Sequence, residues 1–197
     1  MGTNASSNRQ HVLQVNRSIL SAVKLLASEN IHGVTIKYRS PDHIHYIRAE
    51  EQPFFVVLQG ILGYAIKLAG KDGKMSISHR LMKGRRHNDR SDLVRFCIRV
   101  IGRGISEEMF TAVNNELQRI GDALTKDSLS LDKFDLAASR AYFREAGGNV
   151  WITSKLNNGI QIYFTYPLLR ELNLDEIKKP VIKVVKTLFP SEKRLVY

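Results

Sequence analysis

Apolar side chains recur every three to four residues in four stretches of the chain, which is the spacing of helices that bury one face. In the first stretch the period is set by Val15, Ile19, Val23 and Leu26. The predicted helices cover about residues 15–30, residues 53–70, a segment that begins after Ser106, and residues 136–146. Glycines follow the second and fourth helices, and acidic residues follow Ser106 as they do at helix N-termini.

Between the helices, apolar and polar residues alternate, which is typical of strands with one buried face. The predicted strands cover residues 34–38, 43–47, 75–80, 92–100, 149–154 and 160–166. Helices and strands in this order need two layers to bury their apolar faces. The sequence therefore predicts an α/β (α+β) two-layer sandwich, in which one mixed sheet carries about three helices on a single face.

We expect one folded unit over residues 15–168. Residues 1–14 are predicted to be a flexible leader, and residues 169–197 a basic C-terminal tail or linker with a short helix. The leader lacks the basic and apolar regions of a signal peptide, and no stretch approaches the roughly 18 apolar residues that cross a bilayer. Cys97 is the single cysteine, so no internal disulfide can form. We therefore expect a cytoplasmic domain without membrane contact, although the parent protein could be membrane-anchored.

The net charge of +11 arises from 30 Lys and Arg against 19 Asp and Glu. Much of it is concentrated in residues 71–90 and 178–194. Such basic segments favour acidic protein faces or polyanions; the alternative is a solvated loop and tail that keep the protein soluble. The first segment contains a predicted hairpin loop, residues 83–90. Its candidate partner-binding residues are Lys83, Arg85, Arg86 and Arg90.

No residue pattern typical of a self-contained enzyme site is present. The six histidines lack zinc-type spacing to Cys or carboxylate partners, so no metal site is expected. Gly-x-Ser-x-Gly, Walker-type and paired-carboxylate motifs are also missing. We interpret Trp151 and the aromatic positions 163, 164 and 166 as core and sheet surface, with stacking on nucleobases as the less favoured alternative.

One stretch, residues 147–168, carries a resemblance to a known family. A helix ends at a Gly-Gly pair, a strand carries Trp151 and Ser154, and a second strand closes on Pro-Leu. This hairpin resembles the last one in the ATPase domain of sensor histidine kinases, which belong to the histidine-kinase-like ATPases. The resemblance extends over about residues 15–168 and implies the fold of that family. It also gives a register in which the family's nucleotide-binding positions can be located.

In the second predicted helix the family typically has Asn-Leu-x-x-Asn-Ala-x-Lys, where the second Asn holds Mg²⁺ against the phosphates. This chain keeps the lysine as Lys67 but has Gly60 and Tyr64 in place of the asparagines. Mg²⁺ prefers oxygen ligands in near-octahedral geometry, and a phenol is a bulky, poor substitute for a carboxamide. The resemblance thus implies that the anchor for metal-dependent phosphoryl transfer is lost.

The two other nucleotide-binding motifs are also altered at their polar centres. The family's Asp-x-Gly-x-Gly, whose Asp accepts the adenine amino proton, corresponds to Val100, Gly102 and Gly104, so an apolar side chain replaces the carboxylate. We assign the two glycines to backbone geometry. The lid motif, typically Gly-x-Gly-Leu, becomes Lys133 and Asp135 ahead of the leucine, which places a negative charge near the phosphate position.

Because the scaffold is retained while these polar residues are replaced, we predict a degenerate member of the family. Such a pseudokinase would have lost ATP binding, and absence of enzymatic activity is the favoured interpretation. We expect an interaction, scaffold or phosphotransfer-support module in two-component phosphorelay signalling, with no cofactor. By resemblance its partners would be a response regulator, a histidine kinase or a phosphotransfer domain, and a homodimer is left open.

Two alternatives remain. The first is a divergent but functional ATP-binding histidine kinase domain, in which Lys67, Gly102 and Gly104 hold ATP and Mg²⁺ in an altered pose. The second is a nucleic-acid-binding module that uses the two basic segments, for which binding would weaken steeply with salt. No base-reading motif supports the second alternative, so nucleic acid is the least favoured partner.

Overall fold

The computed structural model describes residues 11–28, 33–83, 92–101, 106–118, 136–155 and 159–170. Within these ranges the chain forms four helices and seven strands. The helices are α1 (Val15–Ser28), α2 (Glu51–Ala69), α3 (Glu107–Gln118) and α4 (Leu136–Glu145). The strands are β1 (His11–Gln14), β2 (Thr35–Arg39), β3 (Tyr46–Ala49), β4 (Lys74–Met82), β5 (Leu93–Ile101), β6 (Asn149–Lys155) and β7 (Gly159–Pro167).

Five of the strands form one mixed sheet in the order β2-β4-β5-β7-β6. β2 pairs with β4 in parallel, while the other neighbours in this sheet are antiparallel. The parallel pair is possible because α2 lies between β2 and β4 in the sequence and belongs to the crossover connection. β1 and β3 form a separate antiparallel pair. This arrangement of mixed sheet and helices confirms the predicted α/β sandwich.

The helices cover one face of the five-stranded sheet. Along β5, buried side chains alternate with half-buried or exposed ones, as expected when a single face is covered. α2 packs on β4 and β5, and α3 and α4 pack on β6. Phe96 and Phe164 stack with 4.4 Å between ring centroids, and Phe54 of α2 lies beside Phe96. Full burial of side chains of this size stabilises the fold by about 1.5–3 kcal/mol each.

The pair of strands β1 and β3 differs from the sequence-based expectation. Residues 11–14, predicted as part of a flexible leader, form β1, and β3 begins at Tyr46 rather than at residue 43. The His45 carbonyl oxygen accepts the Val15 N–H at 3.0 Å, which fixes the junction between β1 and α1 against the start of β3. The two strands stabilise each other across a long sequence separation, so neither has a strong local pattern.

The other boundaries agree with the prediction to within two residues at each end. Of the four described helices, α2, α3 and α4 pack on the five-stranded sheet, in agreement with the expected number of about three. Of the predicted C-terminal tail, residues 171–197 lie outside the described residues. The first part of that tail is ordered against β3, since the Leu169 N–H donates to the Tyr46 carbonyl oxygen at 2.9 Å.

By length and composition, α2 meets the criteria for a membrane span, contrary to the expectation that no stretch approaches this length. Half of its most apolar window is buried inside the domain. The core helix of a globular domain has the same composition, and α2 packs on α1, β4 and β5. Its buried residues are Phe54, Val57, Leu58, Gln59, Gly60, Ile61, Leu62, Ala65 and Ile66. These contacts make α2 the central helix of the apolar core.

The Gly-Gly pair that follows α4 makes the turn into β6. Gly147 has φ of +87°, a left-handed conformation that favours glycine at a helix end. The Gly148 N–H donates to the Phe143 carbonyl oxygen at 2.7 Å. A Cβ at Gly148 would clash with the Thr165 carbonyl oxygen of β7. The close approach of the β7 backbone therefore requires glycine at position 148.

We predict that Gly148→Ala lowers the free energy of unfolding by about 2 kcal/mol or more, because β7 must shift to admit the Cβ. Gly63→Ala is the matched control, since no atom lies within 4 Å of a Cβ at that position and alanine is the better helix former. Chemical denaturation of both variants measures the difference. Equal stability of the two variants would contradict the close approach.

Candidate functional site

Three positions of the predicted nucleotide site lie on α2, at the spacing that places them on one face of a helix. Gly60 is buried, Tyr64 is half-buried and packs against the hydrophobic core, and Lys67 is exposed. The face thus presents an aromatic ring where Mg²⁺ would need a carboxamide or carboxylate oxygen. Its one cation, Lys67, lies toward the C-terminal end of the helix.

Val100 lies near the end of β5, at the position predicted for the adenine-binding carboxylate. Its cross-strand partners are Met75 on β4 and Ile160 on β7, and all three side chains are buried. Val100 is 4% exposed and belongs to the hydrophobic core. A carboxylate placed here without a partner would lose its hydration at a cost of several kcal/mol. The position is therefore built for apolar packing and offers no acceptor to an adenine amino group.

Both replaced positions contribute to the hydrophobic core. α2 packs directly on β5 and forms an apolar layer with it; Val100 belongs to the core and Tyr64 packs against the core. In this layer, apolar contact takes the place of the two polar groups that the resemblance would require. At these two described positions, the side chains differ from the carboxamide for Mg²⁺ and the carboxylate for adenine that the resemblance implies.

Most of the other predicted site residues lie outside the described residues. They are Gly102, Gly104, Lys133 and Asp135 of the nucleotide site, and Arg85, Arg86 and Arg90 of the basic loop. Lys83 is described; it follows β4 directly and is exposed. The roles assigned to all of these residues stay predictions.

Within the described ranges, a shallow depression lies at the start of α3, lined by Ser106, Glu107, Glu108 and Thr111. Its two carboxylates stand in the first helical turn, where negative charge interacts favourably with the helix dipole. The same carboxylates would repel the phosphates of a nucleotide. Across the part of the chain that the structure describes, no group of three His, Cys, Asp or Glu side chains is placed to hold a metal ion.

No family model and no curated protein matches this chain, but solved structures resemble its fold. The catalytic domain of the histidine kinase ThkA matches with a TM-score of 0.59 and 19% identity, over 81% of this chain and 95% of that one. The mycobacterial sensor histidine kinase MprB matches with a TM-score of 0.58 and 12% identity, over 81% and 97%. Full-length ShkA in complex with AMPPNP matches with a TM-score of 0.59 and 18% identity, over 81% and 31%.

The chain has the fold of a histidine-kinase ATPase domain. The predicted resemblance is thereby confirmed at the level of the fold. Because the solved chains of the ThkA catalytic domain and MprB are covered over 95% and 97%, the shared fold has nearly the full extent of those two chains.

A cluster of buried polar rings in this domain was missed in the sequence. The Tyr38 hydroxyl lies 3.2 Å from Nδ1 of His79, and the His45 ring packs edge-on against His79 with 5.3 Å between centroids. His79 and His45 are only 4% and 8% exposed. His79 is detectable in the sequence, because it continues the alternation of Met75 and Ile77 along β4.

Burial controls the protonation of this cluster. It lowers the pKa of His79 from 6.5 to about 4, and the neighbouring charge of His45 lowers it further in the same direction. Burial also lowers the pKa of His45, with a smaller effect from His43, and raises the pKa of Tyr38. Nε2 of His79 and Nδ1 of His45 are buried without a hydrogen-bond partner among the described residues. Burial thus favours the neutral form of both imidazoles.

We predict that the domain loses stability as the pH falls from 6.5 to about 4. Over this range His79 is protonated in the unfolded chain but stays neutral in the folded one, so the unfolded state binds more protons. The expected loss is roughly 3 kcal/mol and levels off below the folded-state pKa. Denaturation midpoints measured across this pH range provide the check.

His79→Gln keeps a hydrogen-bonding side chain beside Tyr38 and removes the ionisable ring, so this variant should show a flatter pH dependence. The control is His11→Gln, which changes a histidine on β1 outside the cluster. An unchanged pH dependence in His79→Gln would exclude His79 as its origin.

Proposed function

We propose that this histidine-kinase-like domain is a non-catalytic module, a pseudokinase, that serves as an interaction, scaffold or phosphotransfer-support unit in two-component phosphorelay signalling. The observation that carries the proposal is the burial of Val100 in the apolar core, at the position where the family resemblance requires an acceptor for adenine. The fold is retained while the polar centre of the pocket is replaced by packing.

The chemistry of the two replaced positions supports the loss of nucleotide binding. A site that recognises a ligand through a buried hydrogen bond loses discrimination on the order of 10⁴ when that bond cannot form. Val100 removes such a bond to adenine, and Tyr64 replaces an oxygen donor to Mg²⁺ with a phenol on a half-buried ring. We therefore propose that the domain acts without ATP, Mg²⁺ or another cofactor.

The alternative is a divergent but functional ATP-binding histidine kinase domain. Lys67 is exposed on α2 and would supply the positive charge for phosphates in an altered pose. Full-length ShkA, which shares the fold at 18% identity, was solved in complex with AMPPNP. The alternative requires nucleotide contacts other than those of Tyr64 and Val100.

For the partner we propose a response regulator, or else a histidine kinase or phosphotransfer domain. ThkA, which shares this fold with a TM-score of 0.59 and 19% identity, was solved in complex with the response regulator TrrA. Lys83 is exposed where the chain leaves β4 for the basic loop. Cations at such a position complement an acidic protein face and mainly raise the association rate. We also propose a cytoplasmic location, where such partners act.

We predict that isothermal titration calorimetry with ATP and Mg²⁺ gives no saturable heat, because both polar anchors are replaced. ShkA, solved in complex with AMPPNP, serves as the positive control under the same conditions. Binding in the micromolar range would overturn the non-catalytic proposal and favour the divergent kinase.

We predict that the triple charge reversal Arg85→Glu, Arg86→Glu, Arg90→Glu slows association with a receiver domain at least tenfold at low salt, because it removes electrostatic steering. Surface plasmon resonance measures the on-rate. The matched control reverses three cations on helices, Arg17, Lys24 and Arg144, for the same change in net charge. An on-rate equal to that of the wild type would exclude the basic loop, and a wild type that binds no receiver domain would exclude this class of partner.

A further inference from the structure

The face of the five-stranded sheet that the helices leave uncovered carries basic side chains. We call it the open sheet face; it consists of the positions that alternate with the buried ones along each strand. Its cations are Lys37, Arg39, Lys74, Arg80, Arg95 and Arg99. The described strand residues that alternate onto this face include no Asp or Glu. Asp92, which immediately precedes β5, is paired with Arg170 at 3.2 Å.

The strand register aligns a single row of side chains across the whole open sheet face. The row runs from Arg39 on β2 through Ser78, Cys97 and Tyr163 to Trp151 on β6, each residue directly opposite the next. With strands about 4.8 Å apart, this row is ~19 Å long. Its centre is uncharged, and its far end is aromatic.

Cations flank this row on both sides. Arg80 and Arg95 are cross-strand partners on one side, while Lys37 and Arg99 both lie opposite Ser76 on the other. Like charges directly opposite each other in a sheet are destabilising. A bound anion would therefore reduce the repulsion between Arg80 and Arg95. Burial raises the pKa of Cys97, and a hydrogen bond with Tyr163 and the charges of Arg95, Arg99 and Arg80 offset part of this rise. The positive charges of the three guanidinium groups are therefore all felt at Cys97, in the centre of the row.

The aromatic end of the row is held in place by its neighbours. Trp151 stacks on Tyr163 with 5.2 Å between ring centroids and 17° between planes. The Arg95 guanidinium lies 5.3 Å from the centre of the Tyr163 ring, and the Tyr163 hydroxyl donates to Gln161 Oε1. β6 is the edge strand of the sheet, so no further strand of the described sheet lies beyond Trp151. These contacts fix the two rings and Arg95 before any ligand arrives.

We propose that the open sheet face binds single-stranded nucleic acid without sequence preference, with phosphates on the flanking cations and a base stacked on Trp151. Cations along a row combined with an aromatic platform are the two parts that such binding requires. An acidic protein would satisfy the cations, whereas nucleotides use the cations and the aromatic ring together. The proposal goes beyond the signalling role. The face shares Lys74 and Arg80 with the basic segment 71–90 considered in the sequence, while its other cations and Trp151 lie outside both basic segments.

The chain contains one tryptophan, so Trp151 fluorescence reports on this surface alone. We expect a 15-nucleotide oligothymidylate to quench that fluorescence on binding, because a stacked base quenches indole emission. The affinity should fall roughly 100-fold between 50 and 200 mM salt. This estimate assumes about five phosphate contacts, each of which adds about −0.7 to the slope of the logarithm of the binding constant against the logarithm of the salt concentration. Absence of saturable binding at the lower salt concentration would overturn the proposal.

Two double variants distinguish binding at this surface from binding that depends only on the net charge of the protein. Arg39→Glu with Arg80→Glu should weaken binding about tenfold or more, because it reverses two exposed cations of the face. Arg17→Glu with Arg144→Glu changes the net charge equally on α1 and α4 and should leave affinity within about twofold. An equal loss in both double variants would overturn the proposal, since it would show binding by overall charge. Circular dichroism verifies that each variant is folded.

The stacking part is tested with a fluorescein-labelled oligonucleotide, because Trp151→Ala removes the intrinsic reporter. Fluorescence anisotropy should show about tenfold weaker binding for Trp151→Ala and recovery of most of the affinity for Trp151→Phe. Polyglutamate of equal chain charge is the competitor. If polyglutamate displaces the oligonucleotide at equal concentration and leaves the Trp151 emission of the free protein unchanged, the face recognises acidic polypeptides and the nucleic-acid proposal is overturned.

Discussion

The apolar layer between α2 and the central strands β4, β5 and β7 is the contact on which the rest of the structure depends. Leu58 and Leu62 from the helix, and Phe96 and Ile98 from β5, are almost completely buried in it. Burial of such side chains is the dominant favourable contribution to folding. α2 covers the centre of the sheet and lies in the connection between β2 and β4. This crossover connection makes β2 and β4 a parallel pair in an otherwise antiparallel sheet.

This layer also determines what the covered face can do. A nucleotide pocket in this fold would need hydrogen-bonding groups set into the apolar layer, and each of them would lower the packing energy around it. At Tyr64 and Val100 the chain has an aromatic and an aliphatic side chain instead. Polar and charged side chains are concentrated on the opposite face of the same sheet, where water and ions solvate them. The covered face therefore supplies the apolar packing that stabilises the fold, and the opposite face keeps polar and charged side chains in contact with solvent.

The sequence was sufficient for the elements with a strong local period and insufficient for contacts between distant segments. α2 and β5 were predicted to within two residues, because their apolar positions repeat at helical and strand spacing. β1 was missed because its four residues are stabilised by pairing with β3, more than thirty residues later. The buried state of His45 was missed for the same reason, since its ring packs on His79 of another strand.

The open sheet face shows the same limit at the level of the candidate sites. Trp151 and Tyr163 could be assigned to strands from the sequence, yet only the register between β6 and β7 shows that their rings stack. Alignment with Arg39 requires three further pairings across the sheet. The side chains of this row come from five strands that are far apart in the sequence, so no sequence pattern indicates the row.

Both the first and the last described segments of the domain form backbone contacts with β3. Gln14 pairs with Tyr46, and the Leu169 N–H donates to the carbonyl oxygen of that same Tyr46. His11, where the described chain enters the fold, pairs with Ala49, three residues along β3 from Tyr46. The entry and exit points therefore lie at the same short strand, within roughly 15 Å of each other. A domain with neighbouring entry and exit points can be carried as an insertion within a surface loop of a larger host, because the two junctions fit the gap of a single loop.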